Sequence, residues 1–406
     1  MNRNIISREF CRGCLLLFCL LSLAGCDIKK SKSEPSDSFS AVYDHPDMNL
    51  SFYPVDMVQT NDGGFLVLSV YTDSALSTFP LIRLMKTDKS GSLVREKIVD
   101  PAYCSAVPAL IPVGSSWRFV CMDAVNQNTK LMEVDDGANN VSEVNELAGK
   151  YPLYLFADNS DNFLVLSFDR IARTSVLTLY SSPGVQEWQS SYNINEDYKN
   201  QIETHLKKAG QQFPFFIQQS GESTATHYLV NCFFNYTMTL IFANPATGGR
   251  DGQVNTYQDN AAISSAAYLD GSRFALSRYY MGENYFFPSV ELDQNSTQGS
   301  DDFEDIHLAE LKADATVKSI IATFHNREVL VYASQTKSNS RVLYFFNKVD
   351  GKLLATKNVA STNPVNIAGL ISTSDGGLAL LAQTYVSGRF PRIAIFKIAP
   401  DDIPVD

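Results

Sequence analysis

Short runs rich in Val, Leu, Ile, Phe and Tyr alternate with polar turns along most of the chain. Runs of this length and composition, bounded by Gly, Asn and Asp, predict β-strands rather than helices. Turn pairs such as Asp62-Gly63 and Asp375-Gly376 can supply the positive-φ residues of tight hairpins. The pattern therefore predicts an antiparallel all-β protein.

The hairpin pattern recurs with a period of roughly 50 residues. The clearest copies are Asp62-Gly63-Gly64-Phe65 and Asp375-Gly376-Gly377-Leu378, followed by strands that end in Lys86 and Lys397. Weaker copies lie between them. The turn positions are Gly64, Ser116, Asn162, Thr226, Ser272, Asn326 and Gly377, with spacings of 52, 46, 64, 46, 54 and 51 residues. Seven copies of one unit predict a repeat architecture.

About four short strands fit each repeat, as in a propeller blade. We therefore predict a single domain over residues 41–406, a seven-bladed β-propeller, with six or eight blades as the nearest alternatives. Two tandem β-sandwiches are the competing fold, but they do not explain a period that continues through the middle of the chain. We expect a strand around Met48 to Pro54 to complete the last blade and close the ring.

One helical insertion is predicted before the fourth repeat, near 195–210. Asn195 can cap its start, Gly210 can end it, and Tyr198, Ile202 and Leu206 form an apolar stripe. The helix should lie on the face that carries the connections between blades. Its stripe either covers a gap between two blades or contributes to a binding surface.

A second insertion is expected between the second and third strands of the fifth blade, which places it on the same face. Its aromatic residues could offer rigid contact area to a sugar or a protein partner, although aromatic residues near blade edges also pack in cores. The candidates for this partner face are Tyr279, Tyr280, Tyr285 and Phe286.

The acidic segment that follows has the ligand spacing of a calcium loop. Oxygen-bearing residues stand at its positions 1, 3, 5, 9 and 12, namely Asp293, Asn295, Thr297, Asp301 and Glu304. The glycine of the motif is one residue late, at Gly299, and no flanking helices are predicted. Two interpretations stay open: a Ca²⁺ site, the one cofactor we expect, or a solvated acidic loop.

The N-terminus predicts export. Residues 1–25 carry three arginines and then an apolar run at 15–21 that is too short to span a bilayer, as in a signal peptide. Leu23-Ala24-Gly25-Cys26 resembles the lipobox of bacterial lipoproteins. The resemblance implies that fatty acyl chains modify Cys26, which becomes the mature N-terminus, and that the protein is anchored in a membrane of the cell envelope. The polar residues 26–40 predict a flexible tether.

Two features of the sequence bear on whether the anchor lies in the inner or the outer membrane. Asp27 resembles an inner-membrane retention signal of enteric bacteria, a rule that does not hold in every phylum. The blade motif, Asp62-Gly63-Gly64-Phe65 with the later Lys86-Thr87-Asp88, resembles repeats of propeller-type lipoproteins of Bacteroidetes, most closely in the first and last blades. This resemblance implies a propeller fold and an envelope location, for which we expect the outer membrane.

The charge composition limits the classes of partner that the protein can bind. The 406 residues include 33 Lys and Arg against 44 Asp and Glu, a net charge of -11, which disfavours binding to nucleic acid. Export permits disulfides, and Cys104 and Cys121 fall in neighbouring predicted strands, so a bridge between them and a set of buried free thiols are both open.

Enzyme signatures are largely missing from the sequence. The five histidines are scattered without metal-ligand spacing, and we find no nucleophile elbow, phosphate-binding loop or zincin helix. We therefore expect a binding or scaffold module for a protein partner or a glycan. The alternative is a carbohydrate-active enzyme, a lyase or hydrolase, with acidic residues converging at the channel mouth.

Overall fold

The computed structural model describes residues 38–73, 77–210, 213–256, 261–313, 315–359, 363–387 and 389–405. The predicted signal peptide, Cys26 and most of the predicted tether lie outside these ranges. The described chain is all-β with one α-helix and two short 3-10 helices, Ser300–Asp302 and Pro400–Asp402. No helix within these ranges is both long and apolar enough to cross a membrane.

The strands before the helix are β1 (Phe39–Tyr43), β2 (Ser51–Gln59), β3 (Phe65–Thr72), β4 (Leu81–Thr87), β5 (Leu93–Ile98), β6 (Tyr103–Val113), β7 (Ser116–Asp123), β8 (Asn128–Asp135), β9 (Val141–Lys150), β10 (Pro152–Ala157), β11 (Phe163–Asp169), β12 (Thr174–Ser181) and β13 (Val185–Asn193). The helix is α1 (Lys199–Lys207).

The strands after it are β14 (Phe216–Ser220), β15 (His227–Phe234), β16 (Thr237–Ala243), β17 (Arg250–Asn255), β18 (Ala261–Asp270), β19 (Arg273–Tyr280), β20 (Glu283–Glu291), β21 (Thr297–Gly299), β22 (Ile306–His307), β23 (Lys318–Phe324), β24 (Arg327–Gln335), β25 (Arg341–Asn347), β26 (Leu353–Val359), β27 (Val365–Ser372), β28 (Leu378–Val386) and β29 (Phe390–Ile398).

These strands form a β-propeller arrangement. Five sheets are separate blades with antiparallel meanders: β10–β13, β14–β17 with β21 added in parallel to β17, β18–β20 with β22, β23–β26, and β27–β29 with β1. A further sheet has eight strands, in which β2–β5 and β6–β9 are joined through one residue pair between β4 and β6, Leu81 with Cys104. The first strands β2, β6, β10, β14, β18, β23 and β27 contact one another in that order, and β27 contacts β2. The inner strands therefore form a closed ring around a central channel.

The blades owe their stability to the apolar strands of the pattern. The second and third strands are buried almost throughout, as in β3 and β4, whereas the fourth strands such as β5 are mostly exposed. Side chains from both faces of each sheet enter apolar clusters shared with the next sheet. Burial on two faces explains why the middle strands are nearly continuous apolar runs.

The strand that closes the ring is not the expected one. β1 pairs antiparallel with β29 and completes the last blade, while the segment predicted for that role lies largely in β2, the first strand of the first sheet. The connection between β1 and β2 is held by Arg392. Its guanidinium lies 2.8 Å from a carboxylate oxygen of Asp44 and donates to the carbonyl of Leu50. The chain termini therefore close the propeller with strands from both ends.

The second insertion was also predicted at the wrong place. The aromatic residues near 279–287 belong to the β19–β20 hairpin, which closes at Met281-Gly282 with both φ angles positive. The inserted segment, 292–305, follows the third strand and precedes the fourth. Since strand direction alternates, this segment leaves from the end opposite to the connections between blades, and its Leu292 N–H donates to Ser272 in the β18–β19 turn.

The predicted helix is confirmed, although it is shorter than expected. α1 runs from Lys199 to Lys207 and buries Ile202 and Leu206 of the predicted stripe. Asn195 adopts a positive φ of 62° and precedes the helix rather than capping it. Tyr198 stacks on Phe233 with ring centroids 4.2 Å apart. The apolar stripe of α1 therefore packs into the core.

Candidate functional site

Three polar side chains lie on three different inner strands, and the charge of one of them acts on the other two. They are Asp56 on β2, Tyr154 on β10 and Lys318 on β23, and each is half-buried. β10 and β23 do not neighbour β2 in the ring of inner strands. Their side chains can therefore influence Asp56 only across the channel, which identifies the channel as the place where they converge.

The pKa of Asp56 is higher than that of an ordinary aspartate. Its Oδ2 accepts a hydrogen bond from the backbone N–H of Leu110 at 2.6 Å. Burial raises the pKa of Asp56 to about 6, against the backbone N–H groups of Leu110 and Met57 and the charge of Lys318, which lower it. The carboxyl group is therefore poised to change charge close to neutral pH.

Lys318 carries the charge opposite to that of Asp56, but the two side chains form no direct ion pair. Burial lowers the pKa of Lys318, and the charge of Asp56 opposes that shift. Among the described residues, none forms a hydrogen bond or a direct ion pair with its ammonium group. Burial and the charge of Asp56 raise the pKa of Tyr154, so its hydroxyl stays protonated and able to donate.

A chain of serine hydroxyl groups links β23 to β18 and β19. The Ser319 hydroxyl, next to Lys318 in sequence, donates to Ser265 at 3.0 Å, and the Ser265 and Ser264 hydroxyls lie 2.7 and 2.8 Å from Ser277. Ser264 and Ser319 are half-buried. Because adjacent residues of a strand point to opposite faces, Ser319 and Lys318 lie on opposite faces of β23, and the serine chain joins two blades.

Sequence reasoning missed Asp56, Tyr154 and Lys318. Each is a single polar residue in an otherwise ordinary strand, and the three are separated by about 100 and 160 residues. The available signal was a charged residue inside a predicted innermost strand, where side chains face a narrow channel. That signal can be used only when the first strand of the first blade is located correctly. The segment Met48 to Pro54, which lies largely in that strand, was instead predicted to complete the last blade.

The predicted partner face is only partly available. Phe286 is fully buried and stacks on Tyr332 with centroids 4.1 Å apart, so its assignment to a binding surface is wrong. Tyr279, Tyr280 and Tyr285 are half-buried. The guanidinium of Arg278 lies 5.3 Å and 5.2 Å from the ring centroids of Tyr280 and Tyr285, which engages their faces within the protein.

The predicted calcium ligands are spread along the inserted segment. Asp293 and Asn295 line an open pocket of about 500 Å³, together with Ser272, Glu291, Leu292, Gln294 and Gln298. Thr297 begins β21, which pairs in parallel with β17. Asp301 is ion-paired with Arg278, and Glu304 is exposed.

These positions do not assemble an EF-hand-like site in the described structure. No group of three or more His, Cys, Asp or Glu side chains suited to a metal ion occurs within the described ranges. Calcium binding stays a prediction. Calorimetry with millimolar calcium is the direct measurement, and absence of heat would contradict it.

The possible disulfide between Cys104 and Cys121 is not formed in the structure. Cys104, Cys121 and Cys232 are buried free thiols. Cys104 pairs across the β6–β7 ladder with Met122, the residue next to Cys121. Because adjacent residues of a strand point to opposite faces, the two thiols enter different apolar clusters. Of the two alternatives from the sequence, buried free thiols are the one observed.

Comparisons with known proteins add the following. No family model and no curated protein matches the chain. Among solved structures, it is similar to the β-propeller domain of the Trilobed protease from Pyrococcus furiosus, with a TM-score of 0.45 and 10% identity over 86% of this chain and 95% of that chain. It is also similar to a mutant of AofleA from Arthrobotrys oligospora, with a TM-score of 0.43 and 8% identity over 89% and 87%.

A third similar structure is the WD40 domain of SCAP from fission yeast, with a TM-score of 0.38 and 8% identity over 89% of this chain and 98% of that chain. The propeller arrangement itself follows from the strand pairing and from the closed ring of inner strands.

Proposed function

We propose that this protein is a lipid-anchored, seven-bladed β-propeller of the bacterial cell envelope that acts as a binding module for a protein partner or a glycan. The blade number is supported by the eight-stranded sheet, since β2–β5 and β6–β9 are two four-stranded meanders that share a single residue pair. Counted as two blades, they bring the total to seven, in agreement with the seven inner strands.

The lipid anchor is inferred from the N-terminal sequence. A charged segment, a short apolar run and Leu23-Ala24-Gly25-Cys26 occur in the order that lipoprotein export requires. Two or three acyl chains bind a membrane far more firmly than one, because each buried CH₂ contributes about 0.8 kcal/mol. We place the protein in the outer membrane.

Metabolic labelling tests the anchor. An alkyne analogue of palmitate should label the wild-type chain, and Cys26→Ala should abolish both the label and the membrane fractionation. Cys19→Ala, which removes a thiol inside the apolar run, is the matched control and should leave both unchanged. Labelling that persists in Cys26→Ala would contradict the proposal.

The binding function is supported above all by the convergence of Asp56, Tyr154 and Lys318 on the channel. Groups that are separated in sequence, half-buried and electrically coupled are typical of ligand sites. Glycoside hydrolysis normally requires a pair of carboxylates. Asp56 is the one carboxylate among these three side chains, which favours binding over hydrolysis.

Capture from native membranes tests the binding function. The lipidated protein is purified from gently solubilised envelopes, and co-purifying proteins and glycans are identified by mass spectrometry. We expect a stoichiometric component that is lost with Lys318→Met and retained with Lys337→Met, an exposed lysine in the same blade. Equal recovery with both variants would contradict a role for the channel.

A further inference from the structure

We propose that the central channel binds ligands through a carboxylate group, with Lys318 as the anchoring cation and Asp56 as a negative charge that weakens binding until it is protonated. This inference rests on the proposed binding function and specifies the chemistry of the ligand.

Lys318 has the properties of an anion anchor. Its ammonium group is half-buried in the channel, and among the described residues it has no hydrogen-bond acceptor and no direct ion pair. The ammonium group is not one of the fully buried, unpartnered nitrogen and oxygen atoms, so solvent in the channel, and with it a ligand, can reach it. An anionic group entering the channel would supply the missing acceptor.

A hydroxyl group can complete a site for a small carboxylate. The Tyr154 hydroxyl is protonated and can donate to a second oxygen. One lysine and one neutral hydroxyl group suit a singly charged carboxylate, whereas phosphate sites commonly use several cationic or backbone donors.

Asp56 sets the net charge that the ligand meets. When Asp56 is ionised, the pair with Lys318 is neutral overall, and an incoming anion is repelled by the carboxylate across the channel. When Asp56 is protonated, the site carries a net positive charge. By linkage, a ligand that prefers protonated Asp56 must bind more tightly as the pH falls through the pKa of Asp56.

The other titratable groups around Asp56 do not complicate the assignment of the pH dependence to Asp56 and Lys318. On the strands that pack against β2, the other titratable groups are Tyr71, Tyr103, Cys104, Tyr385, Arg392 and Lys397. None of them contributes to the shift of the Asp56 pKa, whereas Lys318 does. Arg392 and Lys397 are engaged by Asp44 and Asp375. The pH dependence should therefore follow Asp56 and Lys318.

Calorimetric titration of the full lipidated chain in a non-ionic polyoxyethylene detergent tests the proposal. The probes are galacturonate and N-acetylglycine, two carboxylates from sugar and peptide chemistry, with galactose as the neutral control. Both probes remain ionised at pH 5. We expect carboxylate binding that is about tenfold tighter at pH 5 than at pH 8, the effect of one charge across a channel of intermediate dielectric.

Two variants assign the residues. Lys318→Met should weaken carboxylate binding at least about tenfold at both pH values, whereas Lys337→Met should bind as the wild type does. Asp56→Asn should bind at pH 8 as tightly as the wild type binds at pH 5, without pH dependence. Asp161→Asn, at an exposed position with a φ of 60°, is its matched control. If Lys318→Met does not fold, judged by near-ultraviolet circular dichroism, Asp56→Asn alone decides.

The outcomes separate this inference from the proposed function. Unchanged binding by Lys318→Met, or a pH dependence retained in Asp56→Asn, would overturn the inference. Tight binding of galactose equal to that of galacturonate would also overturn it while supporting the general binding function. Absence of carboxylate binding, together with envelope partners that still depend on Lys318, would overturn only the ligand class. Stronger binding of one carboxylate than the other would identify sugar or peptide as the source.

Discussion

Two aspartates of the first sheet, Asp62 and Asp56, are each coupled to a lysine, and the two pairs behave in opposite ways. Asp62, in the β2–β3 turn, accepts from Lys86 Nζ at 2.8 Å, and its pKa is lowered to about 2, chiefly by that hydrogen bond. Asp56, six residues earlier on β2, has no direct contact with Lys318, and burial raises its pKa to about 6. Asp62 and Lys86 therefore form a structural pair, whereas Asp56 and Lys318 form a pair whose groups remain available to a ligand.

The structural pair is complete within the protein. Besides Lys86, Asp62 accepts from the Thr60 hydroxyl and the Gly64 N–H, and Lys86 also donates to the carbonyl of Thr87. The last blade repeats this arrangement. There Asp375 accepts from Lys397, from the Thr373 hydroxyl and from the Gly377 N–H.

This recurrence explains the Asp-Gly-Gly motif. The aspartate closes the turn and binds the lysine of the third strand, so the motif specifies a fold element. Lys318 in the channel has no such set of partners among the described residues. The difference teaches that a satisfied charge pair marks architecture, whereas a desolvated pair without contact marks a site.

Breaking the structural pair sterically should have the largest effect. A Cβ at Gly64 would lie 2.0 Å from the Thr87 carbonyl oxygen and 2.6 Å from Lys86 Nζ. We expect Gly64→Ala to lower the free energy of unfolding by about 3 kcal/mol. Urea denaturation measures this value.

Gly114→Ala provides the control for that substitution. Gly114 has a φ of 59° and no atom within 4 Å of an added Cβ, so only backbone strain of about 1 kcal/mol is expected. Equal destabilisation by the two variants would show that close approach of the third strand is not what the motif requires.

Neutralising the channel aspartate should stabilise the protein. A raised pKa means that stability is fully present below the unfolded-state pKa near 3.8 and is lost as the pH rises through about 6. Asp56→Asn should therefore raise the free energy of unfolding by about 2 kcal/mol at pH 8 and leave it nearly unchanged at pH 4. Denaturation of both proteins across this range provides the comparison. A destabilised variant at pH 8 would contradict the assigned state of Asp56.

Neutralising the structural aspartate should have the opposite sign and a smaller size. The lowered pKa of Asp62 means that stability is present above the unfolded-state pKa near 3.8 and is lost as the pH falls towards about 2. Because the Asp62 side chain is 60% exposed, solvent screens the pair, and we expect Asp62→Asn to cost about 1 kcal/mol at pH 7. The difference from wild type should shrink below pH 3. A constant difference at all pH values would indicate a loss unrelated to charge.

The elements that were predicted correctly depend on local patterns. The all-β class, the strands after each turn and the helix at Lys199–Lys207 follow from residue spacing and turn chemistry within short segments. The wrong predictions concern partners that are distant in sequence. β1 is five residues long and pairs with β29 more than 340 residues away, and no local signal distinguishes it from the neighbouring β2.

For the candidate site residues too, the sequence showed which residues are clustered along the chain but not where the fold places their side chains. The aromatic group and the acidic segment attracted attention because their residues are clustered in sequence, yet Phe286 packs in the core and Asp301 pairs with Arg278. Cys104 and Cys121 were correctly placed in adjacent strands, but the register sets their side chains on opposite faces. Register and facing are set by long-range packing, which a single sequence shows poorly.

The sequence by itself determined the repeated antiparallel unit, because apolar runs and Asp-Gly turns act over a few residues. Only the tertiary structure decided which strand closes the ring and which residues meet in the channel. Asp56, Tyr154 and Lys318 come together because closure of the ring brings non-adjacent inner strands to one axis. Their pKa shifts arise from burial and charges that exist only after that closure.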